Sequence, residues 1–167
     1  ALFEYSSSSN QTLSGLVSGL GGITKDTSSA STLTLSYANT YSGVTNITAG
    51  KIKVTNNSGL GSSAGITSVG AGAELDLYGT TLVISEPITL GSADGSAPAG
   101  ALVNLSGNNT ISNTVTLSGN GKLQSAADTL TISGSGGTAV SATNHNLTLD
   151  ANTGNIVVSN AVSYTHL

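Results

Sequence analysis

The chain has 167 residues and a net charge of −4, and only 7% of its residues are charged, where about 25% is usual in a globular domain. Its four Lys+Arg residues cannot form the clustered basic surface that nucleic-acid binding needs, so we expect no nucleic-acid partner. It contains no run of about 18 apolar residues, so we expect no membrane insertion by this segment. It also contains no cysteine, which suits a protein that crosses an oxidising periplasm.

Short stretches in which polar and apolar residues alternate recur along the whole chain, such as TLTL at Thr32–Leu35, KIKV at Lys51–Val54 and ELDL at 74–77. A period of two predicts a half-buried strand. Because 37% of the residues are hydrophobic and they are spaced in this way, we expect a folded chain rather than a disordered one. In chain order, we predict strands at about 12–17, 32–36, 45–48, 50–55, 73–78, 81–85, 101–105, 114–118, 129–133, 146–150 and 155–159.

Turns rich in glycine and asparagine separate these strands, for example NNSG at 56–59 and SGSGG at 133–137. Both residue types tolerate positive φ, which corners require. Many short strands at this spacing fit a sandwich, a barrel or a solenoid. A recurring Leu-Ser-Gly or Ile-Ser-Gly element and the low aromatic content of 4% favour the solenoid. We therefore predict an all-β fold, a parallel β-helix of roughly seven coils of about 20–25 residues each.

Residues 33–54, LTLSYANTYSGVTNITAGKIKV, resemble the passenger-associated transport repeat of bacterial autotransporters, also called the autotransporter-associated β-strand repeat. In that family, LTLSGANTYSG is followed by a short strand, an Ala-Gly turn and another strand. Residues 10–25, 59–79 and 101–117 resemble the flanking coils of such passengers, so the resemblance extends to about Asn160.

Two positions depart from the family pattern. Tyr37 stands where the family commonly has glycine, and Asp-Thr-Ser at 26–28 replaces a turn that contains glycine. These departures put the local corners in doubt and leave the expected fold unchanged.

The resemblance implies a right-handed parallel β-helix, a handedness that agrees with the general rule for parallel crossovers. Residues 1–160 would be a fragment of a passenger domain that passes through its own C-terminal outer-membrane β-barrel and stands at the bacterial cell surface. The function implied is that of a structural stalk segment whose repeat aids translocation. An adhesin that binds host glycan or self-associates is the alternative, and an enzyme acting on polysaccharide is less favoured.

Residues 161–167, AVSYTHL, differ in composition from the rest of the chain, which is rich in Gly, Asn and Thr. VSYTHL resembles the translation of an adapter used in making sequencing libraries. We therefore predict that the natural sequence stops near Asn160 and that 161–167 is a non-native tail that makes no new coil.

Glu74 and Asp76 are the one pair of acids in the chain with the spacing of a general acid and base. They lie two residues apart on a predicted strand, so they share a face with their backbones about 6.5 Å apart. No Arg or His accompanies them, and a solvated outer face explains them better than catalysis does.

The remaining candidates lack the partners that their chemistry requires. His145 has no neighbouring cysteine, and neither a metal site nor a catalytic triad forms from one histidine. A phosphate loop needs Gly-Lys-Ser/Thr at the start of a helix, whereas Lys122 is followed by Leu123 and a strand pattern, so we interpret Gly59–Leu60–Gly61 and Gly119–Lys122 as corners. Sequons such as Asn46-Ile-Thr are expected by chance in a chain this rich in Asn and Thr. We predict no catalytic, cofactor-binding or metal-binding residue, and no enzyme.

The stretches KIKV and ELDL have the same pattern and begin 23 residues apart, about one coil. We predict that they are neighbours in one sheet, with Lys51 over Glu74 and Lys53 over Asp76. The four charged side chains would face water and the apolar ones would face the core. A slip of one residue would reverse both faces, so this pattern fixes the register.

Overall fold

A computed structural model describes residues 1–91 and 101–164, and in these residues the chain forms nineteen strands and no helix. The strands wind through seven successive turns, and the predicted all-β parallel solenoid is confirmed. No helix in the described residues is long and apolar enough to cross a membrane.

Each of the first three coils contributes two strands, and each of the next four contributes three. In chain order they are β1 (Phe3–Tyr5) and β2 (Gln11–Leu13); β3 (Ile23–Lys25) and β4 (Thr32–Leu35); β5 (Thr45–Ile47) and β6 (Lys51–Val54); β7 (Thr67–Val69), β8 (Glu74–Tyr78) and β9 (Val83–Ile84); β10 (Ile88–Leu90), β11 (Leu102–Ser106) and β12 (Asn109–Ile111); β13 (Val115–Leu117), β14 (Gly121–Ser125) and β15 (Thr129–Ile132); β16 (Thr138–Ser141), β17 (Leu147–Asp150) and β18 (Asn155–Val158); and then β19 (Ala161–Ser163).

The strands stack into three parallel sheets, one on each side of the solenoid. Sheet A has the order β1-β3-β5-β7-β10-β13-β16-β19, sheet B the order β17-β14-β11-β8-β6-β4-β2, and sheet C the order β18-β15-β12-β9. Ile23 pairs with Thr45, 22 residues further on, as the predicted coil length requires. Ile88 pairs with Val115, 27 residues further on, whereas Thr67 pairs with Ile88, 21 residues further on, so the length of the coils varies along the solenoid.

Sheet C is present only from the fourth coil onward. In the first three coils the third side is formed by the irregular segments 14–22, 36–44 and 55–66, and β9 is the first strand on that side. β9 therefore pairs with β12 on one edge and faces the loop 55–66 on the other. This change from loop to strand interrupts the regular surface of the solenoid between the third and fourth coils.

The core consists of columns of aliphatic side chains that continue from coil to coil. In sheet B, one column contains Leu33, Ile52, Leu75, Leu102 and Leu123, each fully buried. Burial of one such side chain stabilises the fold by about 1.5–3 kcal/mol. Because each side chain contacts the coils above and below, the stability of the solenoid arises mainly between neighbouring coils.

Asparagine side chains also tie neighbouring coils together, by bonding to the backbone of the next coil. The Oδ1 atom of Asn10 accepts a hydrogen bond from the backbone N–H of Thr32 at 2.8 Å. Asn120 bonds in the same way to the N–H of Asn146 at 2.9 Å. The abundance of asparagine follows in part from this use, because each such bond satisfies a backbone donor at a corner.

All eleven strands predicted from the sequence overlap an observed strand, and eight observed strands were not predicted. The tail region begins with β19, whose three residues are exposed and pair with β16. Residues 165–167 lie outside the described residues, and the non-native origin of 161–167 stays a prediction.

Candidate functional site

The repeat-like segment 33–54 forms one complete turn of the solenoid that closes on itself. It starts in β4, follows the third side, passes through β5 and ends in β6. Leu33 pairs with Ile52 and Leu35 with Val54, and all four side chains are fully buried. The segment thus contains a whole coil together with the strand on which that coil stacks.

Asn39, in the ANTYSG part of this segment, holds three coils together. Its Oδ1 atom accepts a hydrogen bond from the backbone N–H of Val17 at 2.9 Å, and its Nδ2 atom donates to the carbonyl oxygen of Gly59 at 2.8 Å. The side chain is 2% exposed. Buried backbone groups need partners, and on this irregular side, where no sheet supplies them, one amide satisfies two.

Tyr41 places the largest side chain of the core at the same side of the coil. It is 2% exposed, and its hydroxyl forms a hydrogen bond of 2.6 Å with the Oγ1 atom of Thr45, the first residue of β5. Burial raises the pKa of the Tyr41 hydroxyl above its ordinary value, against the opposing hydrogen bond to Thr45. The ring therefore fills the corner between the third side and sheet A as a neutral group.

Gly43 lies where the backbones of two coils approach each other closely. Its backbone N–H donates to the carbonyl oxygen of Gly21 in the coil below at 3.0 Å. A Cβ atom at this position would lie 2.5 Å from that oxygen and 2.6 Å from the backbone nitrogen of Gly22. The glycine of the ANTYSG sequence is thus required by backbone contact between coils, not by an unusual φ.

The two departures from the family pattern both fit the fold. Tyr37 is 47% exposed, so a larger side chain in place of glycine points into solvent. Ser28 has φ of 60°, so the corner at 26–28 keeps the left-handed conformation that glycine usually supplies. Both residues are thus accommodated at corners of the solenoid.

The predicted register of the charged strands is confirmed, whereas their predicted exposure is wrong. Lys51 pairs with Glu74 and Lys53 with Asp76. However, Glu74 is 2% and Asp76 4% exposed. On the other side of β8, Val103 pairs with Asp76 and is also buried. Both faces of β8 are covered, a situation that alternation in the sequence cannot distinguish from a half-buried strand.

Glu74 and Asp76 interact with the neighbouring lysines and with each other. Lys51 Nζ lies 2.7 Å from Glu74 Oε1, while Lys53 lies over the ring of Tyr78 at 5.5 Å from its centroid. Burial, together with hydrogen bonding to Glu74 and the nearby charge of Glu74, raises the pKa of Asp76 to about 8, against the opposing effect of Lys51 and Lys53. A general acid must come within hydrogen-bond reach of its substrate, and these buried carboxyls are not open to solvent.

The Lys51–Glu74 pair is expected to matter more for stability than the other lysine–acid pair, Lys122–Asp150. Both pairs have an N–O distance of 2.7 Å, but Glu74 is 2% exposed and Asp150 is 37% exposed. We expect Lys51→Met to lower the free energy of unfolding by about 3 kcal/mol, because it leaves a buried charge unpaired. Lys122→Met should lower it by less than about 1 kcal/mol.

Methionine keeps the apolar stem of each lysine. The two variants therefore differ mainly in the burial of the acid that loses its partner, Glu74 or Asp150. Urea denaturation at pH 7, followed by far-UV circular dichroism, gives both values. Equal losses in the two variants would contradict the structural role of the buried pair.

The other sequence candidates are dispersed over the structure. His145 lies in the turn between β16 and β17, where its N–H donates to the carbonyl oxygen of Ala142. Gly59 and Gly61 lie in the loop of the third coil, and Lys122 lies in β14, where it pairs with Asp150. In residues 1–91 and 101–164, no group of three or more His, Cys, Asp or Glu could hold a metal ion.

Glu86 is a buried acid that the sequence analysis did not single out. It is 3% exposed, and its Oε2 atom accepts a hydrogen bond of 2.9 Å from Thr67 Oγ1. The only signal in the sequence is a single acid between the apolar VIS and the Pro87 that precedes β10. Such an acid is ordinarily a solvated corner residue, so its burial is set by the tertiary structure and not by the local sequence.

Comparison of the chain with known protein families, with curated proteins and with solved structures found no match in any of the three. The function therefore has to be argued from the geometry of the coil at 33–54 and from its resemblance in sequence.

Proposed function

We propose that this chain is a stalk segment of the passenger domain of a bacterial autotransporter, displayed at the cell surface, and that the coil at 33–54 aids its translocation. Its partner would be the outer-membrane β-barrel of the same longer protein. The observation that supports this best is the closure of the coil, in which Leu33 pairs with Ile52 and Leu35 with Val54. The residues of the repeat-like sequence are thus the residues that close and stack one turn.

A self-closing coil suits a chain that emerges from a pore and folds outside it. Residues near one another in sequence form the first pairs, so little loop-closure entropy is lost before the contacts form. Each later coil then docks on the last one, and folding propagates without a globular intermediate. Every coil that docks opposes the return of the chain through the pore, so the free energy of stacking favours outward movement.

The composition also favours passage of the unfolded chain through a narrow channel. Only 7% of the residues are charged, and the chain has one Phe and no Trp or Cys. Few side chains would therefore need to be dehydrated as ions, and no disulfide would form before transit.

Deletion of a coil in register tests the translocation role in the full-length protein. Because Lys25 pairs with Ile47, removal of residues 26–47 joins Lys25 to Thr48 and keeps the stacking of the remaining coils. This deletion removes most of the repeat-like segment. The matched control removes residues 116–140, which joins Val115 to Ser141 because Val115 pairs with Val140.

We expect the 26–47 deletion to lower the amount of passenger at the cell surface several-fold, and the 116–140 deletion to leave it nearly unchanged. Accessibility to added protease, measured against the total passenger in the cell, gives the surface fraction. Equal display of both deleted proteins and the intact protein would refute the proposed role of the coil.

A further inference from the structure

Asn120 is followed by glycine, and no other asparagine among the 167 residues has this neighbour. In an unfolded chain, the backbone nitrogen of the residue after an asparagine can attack the asparagine side chain. Glycine permits this attack most readily, because it has no Cβ atom and its backbone turns freely. The Asn120–Gly121 step is therefore the place where the sequence favours deamidation most.

The reaction at this step requires no reagent other than water. The nitrogen of Gly121 gives up its proton and forms a bond to Cγ of Asn120, and the Cγ–Nδ2 bond breaks as ammonia leaves with that proton. Water then opens the resulting five-membered succinimide ring at either of its carbonyl carbons. One product is aspartate. The other is isoaspartate, in which Cγ belongs to the main chain and the free carboxylate branches from Cα.

Both reacting groups are held by Asn146 of the seventh coil. The N–H of Gly121 donates a hydrogen bond to the carbonyl oxygen of Asn146 at 2.8 Å, and Oδ1 of Asn120 accepts one from the N–H of Asn146 at 2.9 Å. Gly121 is buried and is the first residue of β14, where it pairs with Leu147 of β17. Ring closure turns the Gly121 nitrogen away from Asn146, so stacking of the seventh coil on the sixth opposes the reaction.

The second and third strands of the seventh coil bury less of their surface than the strands on which they stack. No residue of β17 or β18 is buried, whereas Leu123 in β14 and Leu130 and Ile132 in β15 are fully buried. A segment with few buried apolar contacts has a low free energy of local opening. The hydrogen bond from Gly121 to Asn146 can therefore open while the other coils stay folded.

We infer that Asn120 is a deamidation site that is protected when the seventh coil stacks on the sixth, and that isoaspartate at this position weakens the stacking. Aspartate keeps a side-chain oxygen that can accept the N–H of Asn146. Isoaspartate does not, because the former side-chain carbonyl has become part of the main chain directly before β14. Deamidation would thus mark, irreversibly, those chains in which the seventh coil stayed open. The inference goes beyond the stalk role and does not depend on it.

Incubation of the chain in mildly alkaline buffer, with and without urea, tests the protection. Peptide mass spectrometry measures deamidation at each asparagine, and an isoaspartyl methyltransferase labels isoaspartate selectively. We expect deamidation at Asn120 to be at least about tenfold faster in urea than in the folded chain. Asn10 is the matched control, because its Oδ1 also accepts the N–H of a residue in the next coil, Thr32, but Gln11 follows it. Asn10 should react far more slowly than Asn120 in urea.

Variants of the seventh coil test whether its stacking controls the reaction. Leu147→Ala and Ile156→Ala each shorten a partly buried side chain that packs against the core. Each should raise the rate at Asn120 several-fold in the folded chain and leave the rate in urea unchanged. Leu20→Ala, which shortens a side chain of the first coil that is 91% exposed, should change neither rate. Ile156→Ala remains informative if Leu147→Ala does not fold.

Refolding of chains that were deamidated in urea tests the effect of isoaspartate on stacking. Limited proteolysis should cleave chains with isoaspartate at position 120 several-fold faster within residues 138–158 than it cleaves the unaltered chain. Asn120→Asp imitates the other product and should resist the protease as the unaltered chain does.

Equal rates at Asn120 in the folded chain and in urea would overturn the inference. Folded Leu147→Ala and Ile156→Ala variants that react no faster than the unaltered chain would also overturn it. An isoaspartate chain as resistant to protease as Asn120→Asp would show that the modification leaves the stacking intact, against the second part of the inference.

Discussion

Replacement of Gly43 by alanine is expected to lower the free energy of unfolding by about 3 kcal/mol or more, although it adds a single methyl group. The added Cβ atom would lie 2.5 Å from the carbonyl oxygen of Gly21 and 2.6 Å from the nitrogen of Gly22. Both are backbone atoms, so no side-chain rotation relieves the contact. The first coil would have to move away from the second, which would also strain the hydrogen bonds from Gly43 N–H and Ser42 N–H to that coil.

Gly15→Ala is the matched control for this variant. A Cβ atom at Gly15 would meet nothing within 4 Å, so alanine there should leave stability unchanged or raise it by up to about 1 kcal/mol. Both substitutions reduce the entropy of the unfolded chain alike, and their difference isolates the contact between coils. Urea denaturation of the two variants measures that difference, and a Gly43→Ala variant as stable as Gly15→Ala would disprove the close approach.

The clearest strand predictions come from stretches that are long enough to show the alternation of polar and apolar residues. β4, β6 and β15 have four residues each, which is two full alternations of polar and apolar side chains. The register of β6 on β8 was predictable because the two stretches carry opposite charges at matching positions. In these strands, the local sequence and the tertiary structure agree.

Six of the eight strands that the sequence did not predict have only three residues, and this has a physical reason. Most strands of sheet A have three residues, such as ITK in β3 and TSV in β7, which contain too few positions to define a period of two. They are strands because neighbouring coils supply their hydrogen bonds, not because of local preference. The same holds for the site: Glu74, Asp76 and Glu86 are buried, and nothing in their local sequence distinguishes them from exposed acids.

The free energy of unfolding is expected to fall as the pH rises from about 4 to about 8. Asp76 has an ordinary pKa near 3.8, which burial and hydrogen bonding to Glu74 raise to about 8 in the folded chain. Glu86 has an ordinary pKa near 4.5, which burial raises to about 7. Between the unfolded and folded values, the folded chain binds more protons than the unfolded one. The stability that each proton gives is complete below pH 4 and is lost as the pH passes the folded pKa.

Each of the two groups changes the free energy of unfolding by up to about 1.4 kcal/mol per pH unit within its window, so we expect a total loss of at least about 3 kcal/mol between pH 5 and pH 9. Asp76→Asn imitates the protonated acid and should flatten the curve up to pH 8, leaving the variant more stable than the unaltered chain at pH 9. Glu86→Gln should flatten it up to pH 7. Glu4→Gln, which replaces an exposed acid, should leave the pH dependence of the free energy of unfolding as it is in the unaltered chain. Urea midpoints that rise with pH over this range, or that fall equally in all three variants, would contradict the assignment of this pH dependence to Asp76 and Glu86.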